Sequence, residues 1–112
     1  MHEVSLCRQM IDILTEQSQC LQFTAIKVIY LELGELSCVD KSALQFAFLA
    51  LADGTVVADA QLEFIDVPGK AYCADCQLEF HVKQLAEPCP QCQAFGAQIL
   101  QGQEIKVKEI QV

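Results

Sequence analysis

The sequence has few basic residues, and this scarcity narrows the partners it can have. Seven lysines and arginines stand against fifteen aspartates and glutamates, giving a formal net charge of −8. Nucleic-acid-binding proteins need a lysine- and arginine-rich patch that displaces the counterions of the phosphates. The basic residues are scattered here, so the composition disfavours nucleic acid as a partner.

Other absences exclude further classes of protein. No apolar run reaches the roughly 20 residues of a membrane-spanning helix, and no basic-then-apolar leader opens the chain. No G-x-x-x-x-G-K-[ST] loop and no Ser/His/Asp or Cys/His arrangement is recognisable. With 53% hydrophobic and 20% charged residues the chain is globular rather than disordered. The sequence therefore predicts a cytoplasmic protein with no membrane span that is not an enzyme.

Cysteine is abundant, and its spacing is the strongest signal in the chain. Cys73-Ala-Asp-Cys76 and Cys89-Pro-Gln-Cys92 form two C-x-x-C pairs with twelve residues between them. This spacing matches a four-cysteine zinc site, in which two tight turns aim four sulfurs at one tetrahedral ion. Four protein ligands leave no open coordination position, so the site is predicted to be structural.

The cysteines allow two other interpretations. A redox-active dithiol could use one C-x-x-C pair, but the second pair at zinc-ribbon spacing weakens that hypothesis. A disulfide framework fits poorly, because seven cysteines are an odd number. The remaining three lie on apolar stretches and are predicted to be small core residues: Cys7, Cys20 and Cys38.

A second candidate site lies at the N-terminus. His2 follows Met1 directly, and Glu3 comes next. If the α-amine is free, that amine, the amide of residue 2 and the imidazole can bind one ion in a plane, with Glu3 or another group as fourth donor. Square-planar nitrogen ligation is typical of Ni(II) or Cu(II). An exposed terminal histidine without a ligand role is the ordinary alternative.

Hydrophobic periodicity predicts two helices and a small sheet. Ser37 and Asp40 are both candidate N-caps for the second helix, and Gly54 is a candidate for its C-terminal stop. The predicted helices span 4–21 and 41–53, and the predicted strands span 25–33, 61–67, 78–82 and 104–112. The expected fold class is α+β, a small three-stranded sheet with two helices on one face.

The cysteine pairs are expected to form a zinc-ribbon-like module inserted in this fold. Residues 70–97 would form the module, and residues 1–69 with 98–112 would form the α/β domain. The residues from Pro68 to Gly69 and from Ala97 to Gly102 would serve as linkers.

Taken together, these features resemble the HypA/HybF family, and the resemblance spans the whole chain. It is carried by the opening Met1-His2-Glu3-Val4-Ser5-Leu6, the Leu33-Gly34-Glu35-Leu36 turn, the Leu44-Gln-Phe-Ala-Phe48 helix segment and the two cysteine pairs. Members of this family are nickel metallochaperones for [NiFe] hydrogenase maturation.

The resemblance implies two metals with different roles. Ni²⁺ would be a transient cargo held by the Met1 amine, nearby amides and His2, with Glu3 shaping the site. Zn²⁺ would be a structural cofactor held by Cys73, Cys76, Cys89 and Cys92. The implied partners are a HypB-like GTPase, the [NiFe] hydrogenase large-subunit precursor and, for some members, urease accessory proteins. Many relatives carry histidines beside the cysteine pairs, whereas here Gln77 and Gln93 follow them.

A rival hypothesis belongs to a different functional class. A zinc-ribbon module can bind other proteins and never handle nickel. The two hypotheses differ over His2, which the nickel carrier needs and the interaction module does not.

Overall fold

The structure, a computed structural model, describes residues 3–112, so Met1 and His2 lie outside the described part of the chain. It contains two helices, α1 (Glu3–Leu21) and α2 (Lys41–Ala52). The strands are β1 (Val28–Gly34), β2 (Gln61–Val67), β3 (Gly69–Cys73), β4 (Leu78–Val82), β5 (Gln98–Gln101) and β6 (Ile105–Gln111).

The strands form two three-stranded sheets, with the orders β2-β1-β6 and β4-β3-β5. The Gln61 amide donates to the Lys27 carbonyl and the Glu35 amide to that of Val67, so β1 and β2 run parallel. The Lys27 amide donates to the Gln111 carbonyl and the Gly34 amide to that of Glu104, so β1 and β6 run antiparallel. The predicted α+β fold, with two helices, a three-stranded sheet and a four-cysteine module, is confirmed.

Helix α1 uses a narrower apolar face than its sequence indicates. Its buried residues are Cys7, Met10, Ile11, Leu14 and Ser18. Val4, Ile13 and Leu21 are apolar but exposed. Gln22 follows the helix with φ 59°, and the Phe23 amide donates to the Ser18 carbonyl, so the helix ends in a left-handed C-cap without glycine.

Helix α2 begins and ends as its sequence signals indicate. Of the two candidate N-caps the structure selects Asp40, whose Oδ1 accepts from the Ala43 amide at 3.1 Å. Gly54 follows the helix with φ 75°, the left-handed conformation that favours glycine.

Strands β3 and β5 were not predicted; β3 begins at the last residue of one expected linker, and β5 lies within the other. Gly69 is the first residue of β3, and residues 98–101 of the predicted 97–102 linker form β5. Strand β3 pairs antiparallel with both β4 and β5. These short strands are stabilised by pairing with each other rather than by local hydrophobic alternation, so the sequence pattern does not predict them.

Three glycines allow backbone segments around this second sheet to approach closely. A Cβ on Gly34 would lie 2.1 Å from the Gly102 carbonyl oxygen, and one on Gly102 would lie 2.6 Å from the Gly69 Cα. Distances this short are forbidden between non-bonded atoms, so only glycine fits at these positions.

The chain divides into two compact units. The described residues of the first are 3–31, 39–64 and 107–112, and the second comprises 32–38 and 65–106. Both helices lie in the first unit, and the four paired cysteines lie in the second. No helix among residues 3–112 is long and apolar enough to cross a membrane.

Candidate metal centre

The four cysteines of the C-x-x-C pairs converge on one point. Their sulfurs all lie within 4.8 Å of one another. The Cys73 and Cys92 sulfurs are 3.7 Å apart, and those of Cys76 and Cys89 are 4.0 Å apart. A tetrahedral ion bound at about 2.3 Å places neighbouring sulfurs about 3.8 Å apart, so the donor set fits tetrahedral thiolate coordination of zinc.

The first pair belongs to the β3–β4 hairpin. Cys73 is the last residue of β3 and is opposite Leu78, the first residue of β4. The intervening turn contains Cys76 and ends at Gln77, which has φ 52°. The turn of the hairpin therefore holds both sulfurs on the same side.

The second pair lies on a turn of similar form. The Gln93 amide donates to the Cys89 carbonyl at 2.8 Å, and the Cys89 amide donates to the Ala94 carbonyl at 3.0 Å. Gln93, like Gln77, follows the second cysteine of its pair and has a positive φ, here 63°. The two turns thus use the same backbone conformation after the second cysteine.

Backbone amides and neighbouring sulfurs set the protonation of this cluster. The Cys92 and Gln91 amides stabilise the Cys89 thiolate and lower the pKa of Cys89 to about 7. The side chain of Cys92 and then burial favour the thiol form of Cys76 and raise its pKa to about 12. A metal ion bound here must displace the thiol protons, so its affinity depends on pH.

The cysteines differ in exposure, which places the centre at the surface of its unit. Cys73 and Cys89 are buried, Cys76 is partly exposed and Cys92 is exposed. Four protein ligands would complete tetrahedral coordination even with one sulfur near solvent, leaving no position for a substrate.

His81 is not part of the four-cysteine cluster and instead contacts Glu35. Its Nε2 lies 2.7 Å from Oε1 of Glu35, which also accepts from the Gly69 amide at 2.9 Å. Among residues 3–112 the metal-competent cluster contains only the four cysteines. The Glu35–His81 pair was missed from the sequence because these residues are 46 positions apart.

The predicted nickel site falls mostly outside the described residues. Met1 and His2 are not described, and Glu3 is the first residue of α1. Oε2 of Glu3 lies 3.5 Å from the Asp40 amide nitrogen at the start of α2. The sequence indicates Asp40 only as an N-cap, because Glu3 and Asp40 are 37 positions apart in the chain.

The other three cysteines do not share one environment. Cys7 is fully buried with its Sγ 3.5 Å from the Leu44 carbonyl oxygen, and burial followed by the charge of Glu3 raises its pKa. Cys20 and Cys38 are exposed. The prediction of a core position is therefore confirmed for Cys7 and wrong for the other two, because Cys20 lies on the outer face of α1 and Cys38 in the loop between β1 and α2.

Comparison with known proteins gives matches over the full length. Residues 1–112 match the family model described as hydrogenase/urease nickel incorporation, metallochaperone, hypA. The hydrogenase maturation factor HypA of Rhodopseudomonas palustris strain TIE-1 is 39% identical over 100% of this chain and 99% of its own. HypA 2 of Bradyrhizobium diazoefficiens is 40% identical with the same coverage.

A solved structure has the same fold. The solution structure of the Ni metallochaperone HypA from Helicobacter pylori superimposes with a TM-score of 0.72 at 28% identity, covering 99% of this chain and 97% of that one.

Proposed function

This chain belongs to the HypA family of hydrogenase and urease nickel-incorporation metallochaperones, and on that premise we propose that it carries Ni(II) at its N-terminus. The family consists of metallochaperones and not enzymes. The proposed ligands are the Met1 amine, the backbone amide and imidazole of His2, and Glu3 as a possible oxygen donor. Ligands at the terminus of the chain suit a carrier, because the ion must leave again.

The contact between Glu3 and Asp40 supports this location. Oε2 of Glu3 lies 3.5 Å from the backbone amide nitrogen of Asp40, so the carboxylate that directly follows His2 in the chain lies at the start of α2. Carboxylate oxygens are common metal ligands and lower the cost of holding a divalent cation.

Zinc is the proposed resident metal of the four-cysteine centre. The sulfur separations fit a tetrahedral ion, and thiolate donors in this geometry suit zinc. Cys73, Cys76, Cys89 and Cys92 would hold the ion, and its chemistry there would be structural. The proposed functional division is a zinc module of residues 70–97 and a nickel-binding domain of residues 1–69 with 98–112.

The proposed recipient is the [NiFe] hydrogenase large subunit, to which nickel is delivered during maturation. A HypB-like GTPase would supply GTP hydrolysis, since this sequence has no phosphate-binding loop. Urease accessory proteins are further candidate partners, and the cytoplasm is the proposed compartment.

The free terminus provides the decisive experiment. Ni(II) is titrated into protein with its native N-terminus and into protein extended by a few residues, which removes the terminal amine from position 1. The native protein should bind nickel with a square-planar spectrum, and the extended protein should lose both the affinity and the spectrum. Equal affinity with unchanged spectra would contradict the terminal site.

Two histidine variants complete the test. His2→Ala should abolish the square-planar spectrum, whereas His81→Ala, the matched control, should retain it. The rival hypothesis of a zinc-ribbon interaction module without a nickel role predicts no effect of either change.

A further inference from the structure

An open groove lies between helix α2 and strand β2. It has a volume of about 450 Å³ and is lined by Lys41, Ser42, Gln45, Phe46, Leu49 and Phe64. Phe46 is 77% exposed and Leu49 is 64% exposed, although α2 buries Leu44, Ala47 and Phe48 on its other side. Exposed neighbouring apolar side chains beside a concave surface indicate a place where another molecule binds.

The wall opposite the helix is an unpaired sheet edge. Strand β2 is the outer strand in the order β2-β1-β6, so within residues 3–112 no strand pairs with its free side. The Gln61 amide donates inward to the Lys27 carbonyl. Hydrogen-bonding direction alternates along a strand, so the backbone groups of Leu62 and Phe64 are directed away from β1, towards the free edge.

We propose that this groove binds an extended, basic peptide segment of another protein, which adds to β2 as a further strand. The free backbone groups of Leu62 and Phe64 would bond the segment, and Phe46 and Leu49 would receive its apolar side chains. Strand addition beside a helix combines backbone bonds that supply affinity with side-chain pockets that supply selectivity. The segment is extended rather than helical because only an extended backbone can pair with the edge.

The charge of the chain selects the composition of the segment. The formal net charge is −8, and β2 carries the exposed Glu63 next to the two edge residues. A segment that alternates apolar residues with lysine or arginine therefore gains electrostatic attraction. A second copy of this chain would bring the same negative charge, so β2-to-β2 pairing between copies is disfavoured.

Lys41 shapes one side of the groove. Its ammonium lies 5.8 Å from the centre of the Phe64 ring, so a cation covers this aromatic residue at the groove rim. An apolar side chain of the segment can then contact Phe46 and Leu49 without displacing Phe64, which is half-buried.

The test uses a set of short synthetic peptides in which valine, isoleucine, leucine or phenylalanine alternates with lysine. Amide exchange is followed by NMR on the full chain with each peptide. Binding should slow exchange at Leu62 and Phe64 by about tenfold or more, while Glu63, whose amide already faces β1, should change little. Peptides N-methylated on the pairing edge should not bind.

A matched pair of variants tests the groove. Leu49→Asp should weaken peptide binding by about tenfold, because it places a charge in an apolar contact. Ile13→Asp, at a similarly exposed position on α1 outside the groove, should leave affinity unchanged. Both side chains are solvent-exposed, so neither change should prevent folding.

Three outcomes would overturn the proposal. One is that no peptide of the set protects Leu62 and Phe64, and another is that the two variants lose affinity equally. The third is self-association through β2 in sedimentation experiments without peptide, which would assign the edge to a second copy.

Discussion

At Gln77 and Gln93 the backbone takes a conformation that glycine adopts more easily. Their φ angles are 52° and 63°, in the left-handed region where a Cβ crowds the neighbouring carbonyl. Each residue follows the second cysteine of its pair, where the chain must turn away from the sulfurs. The structure thus carries local strain beside both metal turns.

Gln93→Gly should stabilise the zinc-loaded protein by roughly 0.5–1 kcal/mol, because relief of the left-handed strain exceeds the entropy that glycine adds to the unfolded chain. Denaturant unfolding of both proteins measures the difference. Gln91→Gly is the control: it lies in the same turn with no positive φ and should destabilise instead. Destabilisation by both changes would contradict the strain argument.

Glu35 holds the turn after β1 against the second sheet. The Gly69 amide and, next in importance, His81 stabilise its carboxylate and keep the pKa of Glu35 below its ordinary value. Because the folded-state pKa is the lower one, protonation favours unfolding. The stabilisation is complete above the unfolded-state pKa of the carboxyl and is lost as the pH falls through its lowered folded-state pKa.

Glu35→Gln should therefore remove part of the loss of stability that the wild type shows on acidification. The neutral amide can still accept from Gly69 but no longer titrates. Thermal unfolding measured across the acid range checks this, with Glu63→Gln on exposed β2 as the control. If the difference in thermal stability between Glu35→Gln and the wild type did not change with pH, the charge of Glu35 would not be the cause of the acid sensitivity.

At the scale of elements, the cysteine-bearing sheet has a small core of its own. Leu36, Ala71 and Val82 are buried together, with Phe80, Ala97 and Ile99 packed against them. The sequence indicates a structural metal site in this module but does not indicate an apolar core. The cluster shows that the sheet has some apolar support, whereas the turn from Cys89 to Gln93 contains no regular strand or helix.

Removal of zinc by a chelator should therefore abolish amide protection first around residues 89–93 and then in the β3–β4 hairpin. Hydrogen exchange followed by mass spectrometry on the full chain resolves these segments. Cys76→Ser should reproduce the effect, and Cys20→Ser, at an exposed cysteine outside the cluster, should not. Full protection of the amides of residues 89–93 after metal removal would contradict a structural role for the metal.

The helices and strands also show which elements local sequence patterns predict and which they do not. Helix α2 and strands β2 and β4 were predicted closely, because their apolar residues recur with helical or alternating spacing. Strands β3 and β5 were missed, because β3 is short and begins at Gly69, and β5 contains two glutamines among its four residues. Only pairing with a distant strand makes either segment extended.

At the scale of the whole molecule, the proposal requires two metals with different donor sets in one acidic chain. Sulfur ligands suit zinc in a closed tetrahedron, and nitrogen ligands with oxygen suit nickel in a plane. The two ions should therefore not exchange sites freely, although the strong negative charge attracts any divalent cation.

X-ray absorption of the native-terminus protein loaded with both metals should report four sulfurs around zinc and only nitrogen and oxygen around nickel. His2→Ala should change the nickel spectrum and leave the zinc spectrum unaltered. Sulfur scattering at the nickel edge would show that cysteines bind the cargo and would refute the separation of the two sites.

The sequence by itself determined the family, the two helices and the identity of the clustered sulfurs, because each depends on residue types at short, regular spacing. The tertiary structure alone decided which helix positions are buried, that β3 and β5 are strands, and that Glu35 pairs with His81. Within residues 3–112 it also placed Glu3 beside the Asp40 amide and left the outer edge of β2 without a paired strand, next to an apolar groove. These features depend on contacts between residues far apart in the chain. A local sequence pattern does not show how much such contacts stabilise the fold.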